Sequence, residues 1–310
     1  VQICSRRCRR LRRRSSFFEW LQSRMGAWRR GGSAREQLLF IDVKKAHLNG
    51  VVEECDFAYI KLPTEDGMMG RCMRLKRWLY GMRPAANAWE KDYADRLKGV
   101  GFVQGASAPT VFYSPKTRLR CVVHGDDFTF LAYEDELERI KMAMSKAYLM
   151  MVRGVLGPDL KDQKEITILN RKLVWSEVGL TYEADANHAK KILEDMGLHA
   201  SSNGLDKPCI KETAQEIEMD DVELDPQEMT SFRSIAARAN CLAQDRPDLQ
   251  YATKEICRRM AKPTRGCWAA MKRLARYLVQ YPRLVFTFAD LGYLPDSIQV
   301  YSDSDWAGCL

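Results

Sequence analysis

The length and composition of this chain indicate a protein that folds around a substantial core. It has 310 residues, of which 46% are hydrophobic, so we expect two or more subdomains. No run approaches the ~20 apolar residues that cross a bilayer, and the N-terminus lacks the apolar core of a signal peptide. The ten cysteines have irregular spacings without a Cys-x-x-Cys pair, which is typical of reduced thiols. These features exclude a membrane protein and predict an intracellular chain, in the cytoplasm or nucleus and not secreted.

Positive charge is concentrated at the N-terminus. The formal net charge is +8, yet residues 1–30 contain ten arginines and one acid, so the other 280 residues are close to neutral. An Arg-rich segment suits contacts with nucleic-acid phosphates, although a solvated terminus has the same composition. We predict that residues 1–37 are poorly ordered and leave both interpretations open.

The first predicted strand ends on an acid, and the first long helix has one apolar face. Residues 38–41 form a short apolar run that suits a buried strand, and Asp42 follows directly. Residues 57–62 alternate as a second strand and end at a proline. Residues 85–99 have helical spacing, with large apolar side chains on one face. These side chains are Trp89, Tyr93 and Leu97.

Residues 119–132 predict a β-hairpin with two acids at its tip. The runs 119–123 and 128–132 are rich in β-branched and aromatic residues, and His-Gly-Asp-Asp between them has turn chemistry. Good turn residues alone would explain an isolated Gly-Asp-Asp. Between two buried strands, however, Asp126 and Asp127 suffer desolvation and mutual repulsion, which a divalent cation relieves. We therefore predict a metal site, with Asp42 as its third acid.

The rest of the chain predicts further strands, a linker and a helical segment. Residues 134–151 and 187–196 have helical patterns, and three short strands lie between them. The strands are predicted at 166–169, 172–175 and 179–182. Residues 201–228 are acidic and poor in large apolar groups, as in a linker. Three helices follow, at 229–243, 247–260 and 267–281.

Three motifs in this order resemble those of copia-type retrotransposon reverse transcriptases. Residues 42–50, Asp-Val-Lys-Lys-Ala-His-Leu-Asn-Gly, resemble the family's Asp-Val-Lys-x-Ala-Phe-Leu-x-Gly. Residues 79–89 resemble its Leu-Tyr-Gly-Leu-Lys-Gln-Ala-Pro-Arg-Ala-Trp, and the predicted hairpin tip stands where the family has Tyr-Val-Asp-Asp. Residues 298–309 resemble the opening strand of the family's ribonuclease H domain.

The resemblance implies an α+β fold, a right-hand polymerase palm with a helical thumb and connection. The palm and its junction with the thumb would span residues 38–200, the acidic linker 201–228 and the thumb and connection 229–296. Residues 297–310 would be a truncated start of a ribonuclease H domain, in which Asp303 is an orphan metal-binding acid. Because only 41 residues precede Asp42, we expect the fingers subdomain to be largely missing and the chain to be a truncated or degenerate copy.

The resemblance also assigns roles to individual residues. Asp42, Asp126 and Asp127 would be catalytic, binding Mg²⁺ or alternatively Mn²⁺ together with the backbone carbonyl of Val43. The residues that contact nucleotide or template would be His47, Tyr80, Gly81 and Arg83. The partners would be an RNA or DNA template–primer, deoxynucleoside triphosphates and other retrotransposon polyprotein domains. His47 replaces the family's usual aromatic residue near the sugar, which makes discrimination against ribonucleotides an open question.

The function predicted from sequence is RNA-directed DNA polymerisation by two-metal nucleotidyl transfer. One alternative is a non-catalytic retroelement remnant that binds nucleic acid through its basic N-terminus. A further alternative is a Mg²⁺-dependent hydrolase that uses the same acids.

Overall fold

The computed structural model describes residues 36–62, 71–210 and 222–289. The chain divides into two compact units; the described residues of the first lie within 36–164 and those of the second within 165–289. The predicted palm range 38–200 therefore spans the boundary between the units. The predictions for most of the Arg-rich residues 1–37, for most of the acidic linker and for Asp303 lie outside the described residues. At the end of the first of these ranges, Glu36 and Gln37 are buried and Gln37 begins the first strand, so poor order was a wrong prediction for these two residues.

The first unit contains a six-stranded sheet in which all neighbouring strands are antiparallel, in the order β4-β5-β6-β7-β1-β8. Its strands are β1 (Gln37–Val43), β4 (Val103–Gln104), β5 (Val111–Tyr113), β6 (Arg120–His124), β7 (Asp127–Ala132) and β8 (Met150–Leu156). A separate two-stranded ribbon pairs β2 (Tyr59–Lys61) with β3 (Cys72–Arg74). Helices α1 (Ala85–Gly99) and α2 (Glu134–Ala147) complete the described part of this unit, with a short 3-10 helix at Ala46–Asn49.

One face of this sheet packs against both helices. Alternate residues of β1 and β7 point toward the core because successive side chains of a strand point to opposite faces. They share one hydrophobic cluster with the apolar face of α1 and with buried side chains of α2. The predicted face of α1 is confirmed, since Trp89, Tyr93 and Leu97 are all buried. The opposite side of the same strands carries Asp42 together with the buried apolar side chains of Leu38 and Phe40.

The second unit combines a four-stranded antiparallel sheet with a helical core. Its sheet has the order β12-β11-β10-β9. The strands are β9 (Glu165–Ile168), β10 (Arg171–Trp175), β11 (Gly179–Glu183) and β12 (Val285–Ala289). The helices described in this unit are α3 (Ala186–Asp195), α4 (Pro226–Leu242), α5 (Pro247–Arg258) and α6 (Arg265–Gln280). Their buried faces form a second hydrophobic cluster, and none of the helices in the described ranges is long and apolar enough to span a bilayer.

Two predicted boundaries differ from the structure by three residues or more. The helix predicted over 134–151 ends at Ala147, and Met150 already begins β8. The reason is tertiary: residues 150–156 pair with β1, which overrides the helical pattern. In addition, α4 begins at Pro226, inside the range predicted as linker. Asp225 and Glu228 form a capping box there, which satisfies the first backbone N–H groups of that helix.

Gly50 fixes the segment after β1 against the start of α1. A Cβ atom at Gly50 would lie 2.8 Å from the Cβ of Ala88 and 3.2 Å from the backbone nitrogen of Trp89. The backbone N–H of Trp78 also donates to the Gly50 carbonyl at 3.0 Å. A glycine is required here because the two backbones approach too closely for a side chain.

We therefore expect Gly50→Ala to lower the free energy of unfolding by about 1–3 kcal/mol, the usual effect of overpacking. Urea unfolding of the purified chain measures this change. Gly99→Ala is the matched control, because a Cβ at Gly99 meets no atom within 4 Å. Equal effects of the two substitutions would contradict the close approach at Gly50.

Candidate active site

The predicted hairpin is confirmed, and its turn is fixed from two directions. β6 and β7 are joined by Gly125 and Asp126, and His124 pairs with Asp127 across the turn. Gly125 has φ +66°, as the first central residue of a type II′ turn requires. The indole N–H of Trp89 donates to the Gly125 carbonyl at 2.8 Å, and the Val43 N–H donates to the Asp126 carbonyl at 2.9 Å. The core helix and the first strand thus both hold the turn.

This arrangement brings two of the three predicted acids together. Asp42 of β1 is the direct cross-strand partner of Asp127 of β7. Cross-strand partners lie on the same face of a sheet, with their Cβ atoms about 4.5–5.5 Å apart. Both side chains are mostly buried, at 16% and 19% exposed. The side chain of Asp126 lies at the exposed turn, next to this pair in sequence.

A cation contacts both members of the acid pair. The guanidinium of Arg153 donates a hydrogen bond to the Asp42 carboxylate. Its Nε atom lies 3.7 Å from Oδ1 of Asp127. Sequence reasoning missed Arg153, because no local pattern indicates that β8 pairs with β1.

The donor atoms of this site are of the kind that a divalent cation requires. Carboxylate oxygens are the ligands preferred by Mg²⁺. Asp42 and Asp127 already converge on one positive group. Across the described ranges, however, no group of three or more His, Cys, Asp or Glu side chains is arranged to hold a metal ion. The acid pair therefore fits a cation, while a complete three-acid cluster is not present.

The residues predicted to contact nucleotide or template lie on two neighbouring segments. His47 belongs to the 3-10 helix after β1, and its ring stacks on that of Tyr80 at 4.6 Å between centroids and 22° between planes. The Nδ1 atom of His47 is buried and has no hydrogen-bond partner in the part of the chain that the structure describes. Tyr80 is 54% exposed, Gly81 has φ +85°, and Arg83 is exposed. The structure thus brings His47 and Tyr80 together and places Gly81 and Arg83 on the adjoining surface.

A mixed α/β unit with acids paired at a β-hairpin is compatible with a template-directed polymerase. Residues 33–210, more than half of the chain, match the family described as reverse transcriptase (RNA-dependent DNA polymerase). The chain belongs to this family.

The particular relatives are proteins of plant retrotransposons. The chain is 26% identical over 281 residues to the retrovirus-related Pol polyprotein from transposon RE2 of Arabidopsis thaliana, a match that covers 86% of this chain and 18% of the relative. It is 23% identical to the corresponding polyprotein from transposon TNT 1-94 of Nicotiana tabacum, covering 86% of this chain and 20% of the relative. An uncharacterized mitochondrial protein of Arabidopsis thaliana is 34% identical over 83 residues, which are 26% of this chain and 32% of that protein.

These matches confirm the resemblance to copia-type retrotransposon reverse transcriptases. The chain spans about a fifth of the length of the Pol polyproteins it matches.

Proposed function

We propose that this chain acts as an RNA-directed DNA polymerase whose catalytic acids are Asp42, Asp126 and Asp127. The observation that carries the proposal is the register of β1 and β7, which makes Asp42 and Asp127 direct partners that converge on one cation. A hydrolase would also need paired acids. The family match and the stacked His47–Tyr80 pair favour a polymerase.

The acids would act by holding divalent cations beside the reacting phosphate. Mg²⁺, or alternatively Mn²⁺, would be held by the pair Asp42 and Asp127, with the Val43 carbonyl and, after a local rearrangement of the exposed turn, Asp126. The bound ion would supply activation of the primer 3′-hydroxyl and charge neutralisation at the leaving pyrophosphate. The chain's own part is to keep these oxygens in place, because positioning dominates catalysis in phosphoryl transfer. The contacts of Trp89 and Val43 with the turn serve that purpose.

The nucleotide and the template–primer would contact the surface formed by the second motif. The exposed ring of Tyr80, supported by His47, offers a stacking face for a base or sugar. The exposed guanidinium of Arg83 suits a phosphate, and the positive φ of Gly81 allows the backbone to approach a ligand closely. Helices α4, α5 and α6 would form the thumb and connection, and other polyprotein domains would be its partners in a complete element.

Primer extension on a poly(rA)–oligo(dT) template with Mg²⁺ tests the proposal. The purified chain should extend the primer. The Asp126→Asn, Asp127→Asn double variant should extend the primer at least about 100-fold more slowly. Changing even a residue that only hydrogen-bonds to a metal ligand lowers metal affinity or activity by about 10–100-fold.

The Glu90→Gln, Asp95→Asn double variant is the control, since it removes two exposed acids from α1 and should extend like the parent. Unchanged extension by the Asp126→Asn, Asp127→Asn variant would refute the role of these acids. Absence of extension by the parent would refute the proposal that this chain is itself a polymerase.

A further inference from the structure

We infer that Arg153 is a built-in counter-cation of the acid pair, which a divalent cation must displace before it binds Asp42 and Asp127. The inference rests on the proposed function in taking these two acids as metal ligands. It assigns to Arg153 a role in setting the metal affinity of the site.

The contacts of Arg153 are with the same oxygens that a metal would use. Its Nη2 atom donates to Oδ2 of Asp42, and its Nε atom faces Oδ1 of Asp127. A guanidinium presents several N–H donors in a fixed plane, so one side chain contacts both carboxylates. Metal and guanidinium therefore compete for one set of lone pairs.

An irregularity in β8 accompanies this contact. Phe40 of β1 pairs with Gly154, whereas the next residue, Ile41, pairs with Val152. Arg153 is the extra residue between them and has no partner in the register. Such a β-bulge changes the direction of a side chain and is common beside active sites. Asp42 lies one residue beyond this bulge, so the bulge and the acid pair are neighbours on the sheet.

The electrostatics explain why a cation is needed when metal is absent. Two carboxylates opposite each other on adjacent strands repel, and this repulsion grows as they are buried. Arg153 offsets the repulsion, while its side chain remains 43% exposed. Ion pairs that are partly exposed to solvent are weak. The guanidinium is thus able to leave the acids for water, and a compact divalent ion is able to replace it.

Mn²⁺ binding, measured by electron paramagnetic resonance of the free ion, tests the inference without using enzyme activity. Arg153→Met keeps most of the side-chain volume and removes the charge. We expect it to bind Mn²⁺ about three- to tenfold more tightly than the parent, the range given by losing one or two partly exposed ion pairs. Arg153→Gln should change the affinity in the same direction.

Arg139→Met is the matched control, because Arg139 is an exposed arginine that pairs with Glu136 on α2. It makes the same change in net charge and should leave Mn²⁺ affinity unchanged.

Thermal unfolding provides a second measurement. Without metal, Arg153→Met should unfold at a lower temperature than the parent, and Mg²⁺ should raise its unfolding temperature more than that of the parent.

Asp42→Asn distinguishes the inference from the proposed function. If Asp42→Asn abolishes Mn²⁺ binding while Arg153→Met leaves the affinity at the parent value, the role of Arg153 is refuted and Asp42 remains a ligand. If Asp42→Asn leaves Mn²⁺ binding intact, the ligand assignment and the inference both fail. If Arg153→Met and Arg139→Met strengthened Mn²⁺ binding equally, the change in net charge alone would explain the effect. That outcome would also refute the inference.

Discussion

Replacing Trp89 with Ala should lower the free energy of unfolding by about 3–5 kcal/mol, the usual effect of removing a large aromatic side chain from a core. Trp89 is 1% exposed, and its ring makes edge contacts with three aromatic neighbours. The centroid distances are 5.4 Å to Tyr93, 6.2 Å to Phe128 and 5.1 Å to Tyr148. The lost ring would leave a cavity between α1 and the sheet. Urea unfolding measures the change.

Trp89→Phe separates packing from hydrogen bonding. Phenylalanine refills much of the cavity but has no N–H for the Gly125 carbonyl, which Trp89 contacts at 2.8 Å. Gly125 is exposed, so water can replace the lost donor, and removing this partly buried hydrogen bond should cost about 0.5–1.5 kcal/mol. Because Asp126 and Asp127 directly follow Gly125 in the chain, we also expect weaker Mn²⁺ binding by a folded Trp89→Phe variant.

The control for both substitutions is Tyr251→Ala, which removes a 60% exposed ring and should change the stability by less than about 0.5 kcal/mol. If Trp89→Phe matched the parent in both stability and Mn²⁺ affinity, the indole hydrogen bond would have no part in holding the turn.

Local patterns predicted the elements that carry the acids, because the chemistry of those elements is local. The hairpin follows from two β-prone runs around a Gly-containing turn. The buried face of α1 follows from the i, i+4, i+8 spacing of its large side chains, which the structure confirms. The strand that carries Asp42 follows from a short apolar run before this acid, although β1 continues to Val43. In each case neighbouring residues contain the whole signal.

The features that were missed depend on residues far apart in the chain. Strand β8 is defined by its pairing with β1, more than a hundred residues earlier, and an arginine and a glycine interrupt the apolar run of its own sequence. The bulge at Arg153 exists only in that pairing. The direct pairing of Asp42 with Asp127 likewise follows from the register of two strands, which no residue near either acid indicates. Sequence alone therefore proposed Asp42 and Asp127 as site residues but did not indicate Arg153, which contacts both.

The clearest case of such long-range dependence is a buried ion pair in the first unit. Glu36 precedes β1 and Arg120 begins β6, and the two are 84 positions apart in the chain. Arg120 is the register partner of Leu131, and Gln37, next to Glu36, is the partner of Ala132. The pair thus crosses β7. Its side chains are only 6% and 4% exposed, with Nη1 of Arg120 3.1 Å from Oε1 of Glu36.

We expect Arg120→Met to lower the free energy of unfolding by about 3–5 kcal/mol at pH 7, because it leaves a buried carboxylate without its cation. Burial raises the pKa of Glu36, and the guanidinium of Arg120 opposes that rise. Without Arg120 the folded-state pKa rises further. When the pKa of an acid is higher in the folded protein than in the unfolded one, the protein loses stability as the pH rises from the unfolded-state pKa through the folded-state pKa. The deficit of Arg120→Met should therefore be smaller at pH 5 than at pH 7.

The Glu36→Gln, Arg120→Met double variant distinguishes the unpaired charge from lost packing. Removing both charges should recover much of the lost stability at pH 7, since a neutral pair avoids the desolvation of an unpaired carboxylate. Its stability relative to the parent should also vary less between pH 5 and pH 7 than that of the single variant. A deficit that is the same in both variants and at both pH values would mean that Arg120 stabilises the sheet through packing alone.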